Sequence, residues 1–309
     1  MAENSKIEWC HHTLNPWRGC AKVSAGCANC YAETMSAINP KTLGMWGPNG
    51  TRVVAAEAQW KLPLKWDKAA KAAGERHRVF CASLADVFED WKGDLSNASG
   101  GRLWVSRCVA IGDVPFWFPE RPQGDFSQCR PLRMADVRAR LFRLIDETPN
   151  LDWLLLTKRP ENVHRMCFEA WCKKVPGHVS QNEGDGRVWK FPPNVWLGTS
   201  VENKATLTRI ETLREIPAAV RFLSLEPLLE DLGPLDLTGI SWAIIGGESG
   251  PGARPMQAEW VRSLRDQCQA AGVAFFFKQW GGTNKKATGR ELDGRTWDEF
   301  PQLTPSAGA

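Results

Sequence analysis

Tyrosine, histidine and long apolar runs are scarce in this chain of 309 residues. There is one tyrosine against 16 tryptophans, and only five histidines, two of them adjacent at His11 and His12. No histidine lies at the end of a later apolar run, which disfavours a metal-dependent hydrolase barrel. No run of about 18 apolar residues exists, so nothing is expected to span a membrane. The opening MAENSKIEW lacks the apolar region of a signal peptide. We therefore expect a cytoplasmic protein without a membrane partner.

The charge of the chain is nearly balanced. Its 39 basic and 35 acidic residues give a net charge of +4, which permits an anionic partner without requiring one. Ten cysteines without a secretion signal indicate a reducing compartment, where clustered thiols are more often metal ligands than disulfides. The excess of tryptophan is more typical of core packing than of base stacking.

Six short, nearly continuous apolar runs organise the chain. They span residues 78–83, 152–158, 194–200, 221–226, 241–247 and 273–278. Such runs are typical of buried parallel strands, and helical periodicity between them, at 134–147, 204–215 and 258–271, indicates βαβ units. A further strand at 7–11 brings the count to about seven. Because no G-x-G-x-x-G follows the first strand, we predict an α/β fold with a full or partial parallel (β/α) barrel.

Two segments interrupt the strand and helix pattern. Residues 94–131 are rich in Gly, Pro and Trp, and residues 167–193 are polar and broken by Gly and Pro. Both are expected to be loop insertions over the mouth of a barrel that spans residues 1–282. The polar segment 283–309 is expected to be a peripheral tail.

Polar side chains end every predicted strand. In a parallel barrel the chemistry gathers at the carboxyl ends of the strands. We therefore expect a ligand-binding mouth lined by these residues. The candidates are Ser83, Asp86, Thr157, Lys158, Arg159, Ser200, Glu202, Asn203, Ser224, Glu226, Gly246, Gly247, Glu248, Ser249, Lys278 and Gln279.

Three cysteines lie close together near the start of the chain. Cys20, Cys27 and Cys30 form C-x6-C-x2-C, one ligand short of a closed zinc site. His11, His12 or Cys10 could supply a fourth zinc ligand, whereas a redox C-x-x-C would leave Cys20 unexplained. The remaining interpretation is a [4Fe–4S] cluster held by three thiolates, with one iron open to a ligand.

Several segments together resemble a known superfamily. The stretches EWCHHTLNPWRGCAKVSAGCANCYAE, LLLTKRPEN, VWLGTSVEN, FLSLEPLL, WAIIGGESGPGARPM and FFFKQWGG resemble a phage- and bacterium-associated branch of the radical S-adenosylmethionine enzymes. The usual spacing there is C-x3-C-x2-C, and here the first gap is wider. The resemblance implies that Cys20, Cys27 and Cys30 ligate a [4Fe–4S] cluster whose open iron binds S-adenosylmethionine. It also implies reductive cleavage of that cofactor, hydrogen abstraction from a substrate, and a flavodoxin- or ferredoxin-like electron donor.

The same resemblance suggests roles for the strand-end residues. Lys158 and Ser200 would bind the cofactor carboxylate, a placement similar to that in spore photoproduct lyase. Glu226 would bind the ribose or the methionine amino group, or would form an ion pair with Arg159 or Lys278. The remaining candidates are the GGESG turn (Gly246, Gly247, Glu248) near the adenine or substrate, Asp86 near cofactor or substrate, and Cys81 or Cys10 as hydrogen donor.

The first candidate for the substrate is a nucleobase in DNA or RNA, and a small molecule or a peptide is the alternative. This prediction depends on the basic pI, the arginine-rich segment 130–143 and the three tryptophans Trp46, Trp91 and Trp117, which look exposed. A partner protein could also present the substrate. The alternative from another class is a non-catalytic zinc-containing module that binds nucleic acid or protein.

Overall fold

The computed structural model describes residues 2–3, 5–106, 117–118, 129–169, 179–181, 187–189 and 191–302. Its main sheet has eight strands in the order β1-β2-β5-β10-β13-β14-β15-β16. These are β1 (Ala2–Glu3), β2 (His12–Thr13), β5 (His77–Cys81), β10 (Leu151–Thr157), β13 (Val195–Ser200), β14 (Val220–Leu225), β15 (Trp242–Gly246) and β16 (Ala274–Gln279). All neighbours from β2 to β16 pair in parallel, and β1 alone is antiparallel.

The sheet is a seven-stranded parallel half-barrel with an added antiparallel strand, which confirms the predicted α/β class and a partial barrel. Each of the six apolar runs overlaps one of its strands, with the bounds differing by one or two residues. The seventh strand is shorter and later than expected, because residues 7–10 form a turn closed by the Cys10 N–H to the Ile7 carbonyl.

Nine helices are present in the described part of the chain. They are α1 (Tyr31–Ile38), α2 (Pro40–Leu43), α3 (Glu57–Trp60), α4 (Leu62–Ala73), α5 (Met134–Asp146), α6 (Val163–Cys167), α7 (Thr208–Arg214), α8 (Ala258–Ala271) and α9 (Lys285–Thr288). Both α4 and α8 end at a glycine, Gly74 and Gly272, with φ of +69° and +67°, the left-handed stop that glycine adopts without strain. Among the described residues, no helix is both long and apolar enough to cross a membrane.

The strands are buried on both faces, as parallel strands between two layers must be. Alternate residues point to opposite sides, and those facing the inside of the half-barrel form a mainly aromatic cluster. Its members include Trp9, Phe80, Leu154, Trp196, Phe222, Trp242 and Phe276. The outward-facing residues join the helices in a larger core. Toward the carboxyl ends of the strands, the inward-facing positions beyond these rings become polar, as at Lys158 and Ser200.

Three small sheets lie outside the half-barrel. One joins β3 (Trp17–Arg18), β4 (Arg52–Val54) and β6 (Leu95–Ser96), another joins β7 (Trp104–Ser106), β8 (Trp117–Phe118) and β9 (Cys129–Pro131), and a third joins β11 (Val179–Gln181) and β12 (Arg187–Trp189). The predicted insertions 94–131 and 167–193 thus contain short strands, and the rest of each falls partly outside the described residues.

The segment predicted as a peripheral tail packs against the barrel over much of its length. Leu292 and Trp297 are buried in the larger core. The Phe300 ring lies 5.2 Å from the Trp242 ring, and the N–H of Phe277 donates to the Trp297 carbonyl. These residues therefore cover the edge strand β16, whose hydrogen-bonding groups would otherwise be unpaired.

Candidate functional site

Most of the predicted site residues line one cavity of about 520 Å³ at the carboxyl ends of the strands. Its size lies within the range of about 300–1,000 Å³ that is usual for small-molecule sites. All three cysteines line it, together with Asp86, Lys158, Ser200, Glu226, Gly247 and Glu248. Cys81 is different: it is fully buried in the outer core and does not line the cavity. Its role as a hydrogen donor stays a prediction that this placement does not support.

The cysteine loop runs from β3 to α1 along the wall of the cavity. Cys20, Cys27 and Cys30 are all free thiols. Cys30 directly precedes helix α1, and burial raises the pKa of its thiol. Burial raises the pKa of Cys20 to about 12 with help from Asp86 and Glu89, while Arg159 opposes that rise. Without a metal, Cys20 and Cys30 are therefore protonated, and metal binding must release their protons.

The residues between Cys20 and Cys27, which make the first gap wider than usual, include a turn that is held by hydrogen bonds to the strand ends. A single 3-10 turn spans Ala25–Cys27. The Ser24 hydroxyl donates to Glu202 Oε1 over 2.9 Å, and Arg254 Nη2 donates to the Ala25 carbonyl over 3.0 Å. The longer spacing is thus taken up by a structured turn that is fastened to the strand ends.

Glu202, one of the polar residues predicted at the strand ends, is a central acceptor for which the sequence suggested no specific role. Its fully buried carboxylate lies 2.7 Å from Lys158 Nζ and 2.9 Å from Arg209 Nη1. Burial alone would raise the pKa of Glu202, but Lys158 and Arg209 outweigh it and hold the pKa below its usual range. Lys158, predicted to bind a cofactor carboxylate, is therefore already paired with a protein carboxylate.

A second buried network holds the other end of the cysteine loop. Arg159 donates to Asp86 Oδ2 over 2.8 Å, to the Ala21 carbonyl over 2.8 Å and to Cys20 Sγ over 3.6 Å. Asp86 also accepts from the Thr157 hydroxyl over 2.7 Å. Asp86 thus anchors Arg159, which in turn holds the backbone and the sulfur of the first cysteine position.

The GGESG turn supports the cysteine loop from the opposite side. Glu248 accepts from Arg254 Nε over 2.8 Å and from Asn29 Nδ2 over 2.9 Å. Burial would raise the pKa of Glu248, but the hydrogen bonds from Arg254 and Asn29 lower it to about 2. A Cβ atom at Gly247 would lie 2.0 Å from the Trp280 carbonyl oxygen. The protein's own packing therefore requires this glycine.

Two further cavity residues, Glu226 and Ser200, differ in whether their polar groups have a partner within the protein. Glu226 pairs with Lys278 over 2.9 Å, the second of the two partners suggested by the sequence, whereas Arg159 is bonded to Asp86. The Ser200 hydroxyl is buried and forms no hydrogen bond with another described residue. Ser200 therefore has donor and acceptor capacity for a ligand.

The candidate fourth zinc ligands lie away from the cysteines. His12 stacks on Trp66 at 4.3 Å and is bonded to His77, and His11 stacks on His77 at 5.1 Å. Cys10 is buried in the inner aromatic cluster. Within the described ranges, no group of three or more His, Cys, Asp or Glu side chains converges on a single-ion site.

Two features expected to contact nucleic acid have internal partners instead. Trp117 is only 8% exposed and packs edge-on against Trp60, so its predicted exposure is wrong. Arg138 is buried and donates to the carbonyls of Val87 and Glu89. The other arginines of segment 130–143 with described partners bind carboxylates: Arg130 binds Asp136, Arg140 binds Glu57 and Arg143 binds Glu147. Packing and ion pairs thus account for Arg130, Arg138, Arg140 and Arg143.

Fold and site together define an α/β half-barrel protein with a cysteine loop over the carboxyl ends of its strands. The chain belongs to the family described as "Protein of unknown function (DUF5131)", whose family model matches residues 4–94 and 132–301. The cysteine loop and every strand-end residue of the cavity lie inside the match, and the unmatched 95–131 falls within the first insertion. No curated protein and no solved structure matches the chain.

Proposed function

We propose that this protein is a radical S-adenosylmethionine enzyme whose cysteine loop holds a [4Fe–4S] cluster. One observation carries the proposal: Cys20, Cys27 and Cys30 open onto the same cavity as Lys158 and Ser200, at the carboxyl edge of a parallel half-barrel. Such an edge is where α/β barrels place their reacting groups.

The three thiols suit an iron–sulfur cluster in their chemistry and surroundings. Soft thiolate ligands select iron–sulfur clusters over oxygen-preferring ions. Arg159 donates to the sulfur of Cys20, and such hydrogen bonds are among the features that tune a cluster. When bound, the cluster and S-adenosylmethionine supply one-electron cleavage of the cofactor and a carbon radical that abstracts hydrogen.

Lys158 and Ser200 are suited to bind the polar end of the cofactor. The Lys158 ammonium has three donors, of which Glu202 takes one, and the adjacent Ser200 hydroxyl is unpaired in the described part of the chain. Lys158 directly follows β10 and Ser200 is the last residue of the neighbouring strand β13, both at inner-face positions. Together they can bind a carboxylate, while Glu202 fixes the position of Lys158.

Metal content tests the proposal. After anaerobic reconstitution with iron and sulfide, we expect about four irons per chain and the absorption of a [4Fe–4S] protein. Single Cys→Ala changes at 20, 27 and 30 should abolish this content, whereas Cys268→Ala, at a buried cysteine outside the cavity, should keep it. Stoichiometric zinc with no cluster under any condition would contradict the proposal and favour the zinc-containing binding module.

A further inference from the structure

Two oppositely charged side chains meet inside the cavity above a glycine. Lys278 Nζ on β16 lies 2.9 Å from Oε1 of Glu226, which directly follows β14. The strand between them, β15, ends in Gly246, where a Cβ atom would lie 2.6 Å from that same oxygen. The missing side chain lets the Glu226 carboxylate reach across β15 to the ammonium.

This pair retains hydrogen-bonding capacity toward the cavity. The side chains of Lys278 and Glu226 are 21% and 13% exposed, and both line the cavity. The ammonium carries three donors, and the second carboxylate oxygen of Glu226 receives only a long bond of 3.3 Å from the Ser224 hydroxyl. The pair therefore offers a donor and an acceptor side by side without having to separate.

Aromatic side chains border the same cavity. Trp9, Tyr31, Trp46 and Phe80 all line it. Flat aromatic rings beside paired polar groups suit a planar, polar ligand.

We propose that the Glu226–Lys278 pair recognises the hydrogen-bonding edge of a nucleobase. Such an edge carries an N–H beside a carbonyl oxygen or ring nitrogen, so Glu226 can accept from the first while Lys278 donates to the second, with aromatic rings on the base faces. The assignment rests on the proposed function for its reaction and names the substrate class of that reaction. It also assigns Glu226 to the substrate instead of the cofactor, while Lys158 keeps its proposed role in binding the cofactor.

The test is calorimetric binding to the iron-free protein, which does not depend on cluster assembly. The ligands are adenosine, guanosine, cytidine and uridine, a short single-stranded oligonucleotide of mixed sequence, and S-adenosylmethionine. We expect at least one nucleoside or the oligonucleotide to bind, and Glu226→Gln with Lys278→Met to weaken that binding by about tenfold or more, since hydrogen bonds to charged groups are lost. Tighter binding of the oligonucleotide would assign the base to nucleic acid, and tighter binding of a nucleoside would assign it to a free metabolite.

Two further variants separate recognition from folding. Exchanging the charges, Glu226→Lys with Lys278→Glu, keeps an ion pair and should preserve the melting temperature while weakening base binding. Removing the Arg140–Glu57 pair outside the cavity (Arg140→Gln, Glu57→Gln) should leave binding unchanged. The assignment is overturned if no base binds, if the neutral pair binds as tightly as the native pair, or if S-adenosylmethionine loses as much affinity as the base. Failure to assemble a cluster would contradict the radical proposal but would not affect the base binding measured on the iron-free protein.

Discussion

Gly26 in the cysteine loop packs directly against the buried carboxylate of Glu202. A Cβ atom at Gly26 would lie 2.4 Å from Glu202 Cγ and 2.5 Å from Oε1. Because Glu202 also binds Lys158 and Ser24, this contact couples the position of the middle of the loop to the wall of the cavity.

Gly26→Ala should therefore displace the loop. Overpacking of this kind costs about 1–3 kcal/mol, and we expect the variant to unfold at lower urea concentration and to bind less iron on reconstitution. The double variant Gly26→Ala, Glu202→Asp removes one methylene at the contact and should recover part of the iron content. Full iron content in Gly26→Ala would show that the cysteine positions do not depend on this contact.

Arg159 is predicted to stabilise the loop through its buried pair with Asp86. Arg159→Met leaves the buried Asp86 carboxylate without its cation, and breaking a buried pair in this way costs about 3–5 kcal/mol. The matched control is Arg143→Met, which removes a surface pair with Glu147 and should change the free energy of unfolding by less than about 1 kcal/mol. Equal effects of the two changes in urea unfolding would argue against the Asp86–Arg159 anchor.

Glu248 should make stability depend on pH in the acid range. Hydrogen bonds from Arg254 and Asn29, set against burial, hold the pKa of Glu248 at about 2 in the folded protein, below the value of about 4.3 in an unfolded chain. Its stabilising contribution is therefore present above about pH 4.3 and is lost as the pH falls toward 2. Between these limits the free energy of unfolding of Glu248→Gln should vary less steeply with pH than that of the wild type. If the wild type and Glu248→Gln showed the same dependence of unfolding free energy on pH, the hydrogen bonds from Arg254 and Asn29 would not lower the pKa of Glu248.

Much of the fold could be predicted from local patterns. The six apolar runs each became a strand because their length and continuity fit only buried parallel pairing here. The same patterns brought Lys158, Ser200 and Glu226 to one cavity, since they continue the inner-face positions of adjacent strands. Cys81 has the opposite phase and points into the outer core with Val79, a difference that the two-residue period of β5 could have revealed.

Which side chains contact one another could not be predicted in the same way. Arg159 and Glu202 follow strands, as many surface residues do, and their importance arises from contacts with residues 139 and 178 positions away, Cys20 and Ser24. Arg138 and Trp117 looked exposed because arginines on a helix usually are, and Pro- and Gly-rich segments usually lie at the surface. Only the packed structure shows which of these side chains is covered.

The most direct measurement is low-temperature EPR of the reconstituted, reduced protein with and without S-adenosylmethionine. Radical chemistry at the cysteine loop predicts a [4Fe–4S]⁺ signal that changes when the cofactor is added and is absent in Cys27→Ala. A cluster signal that S-adenosylmethionine leaves unaltered, or one that persists in Cys27→Ala, would contradict it.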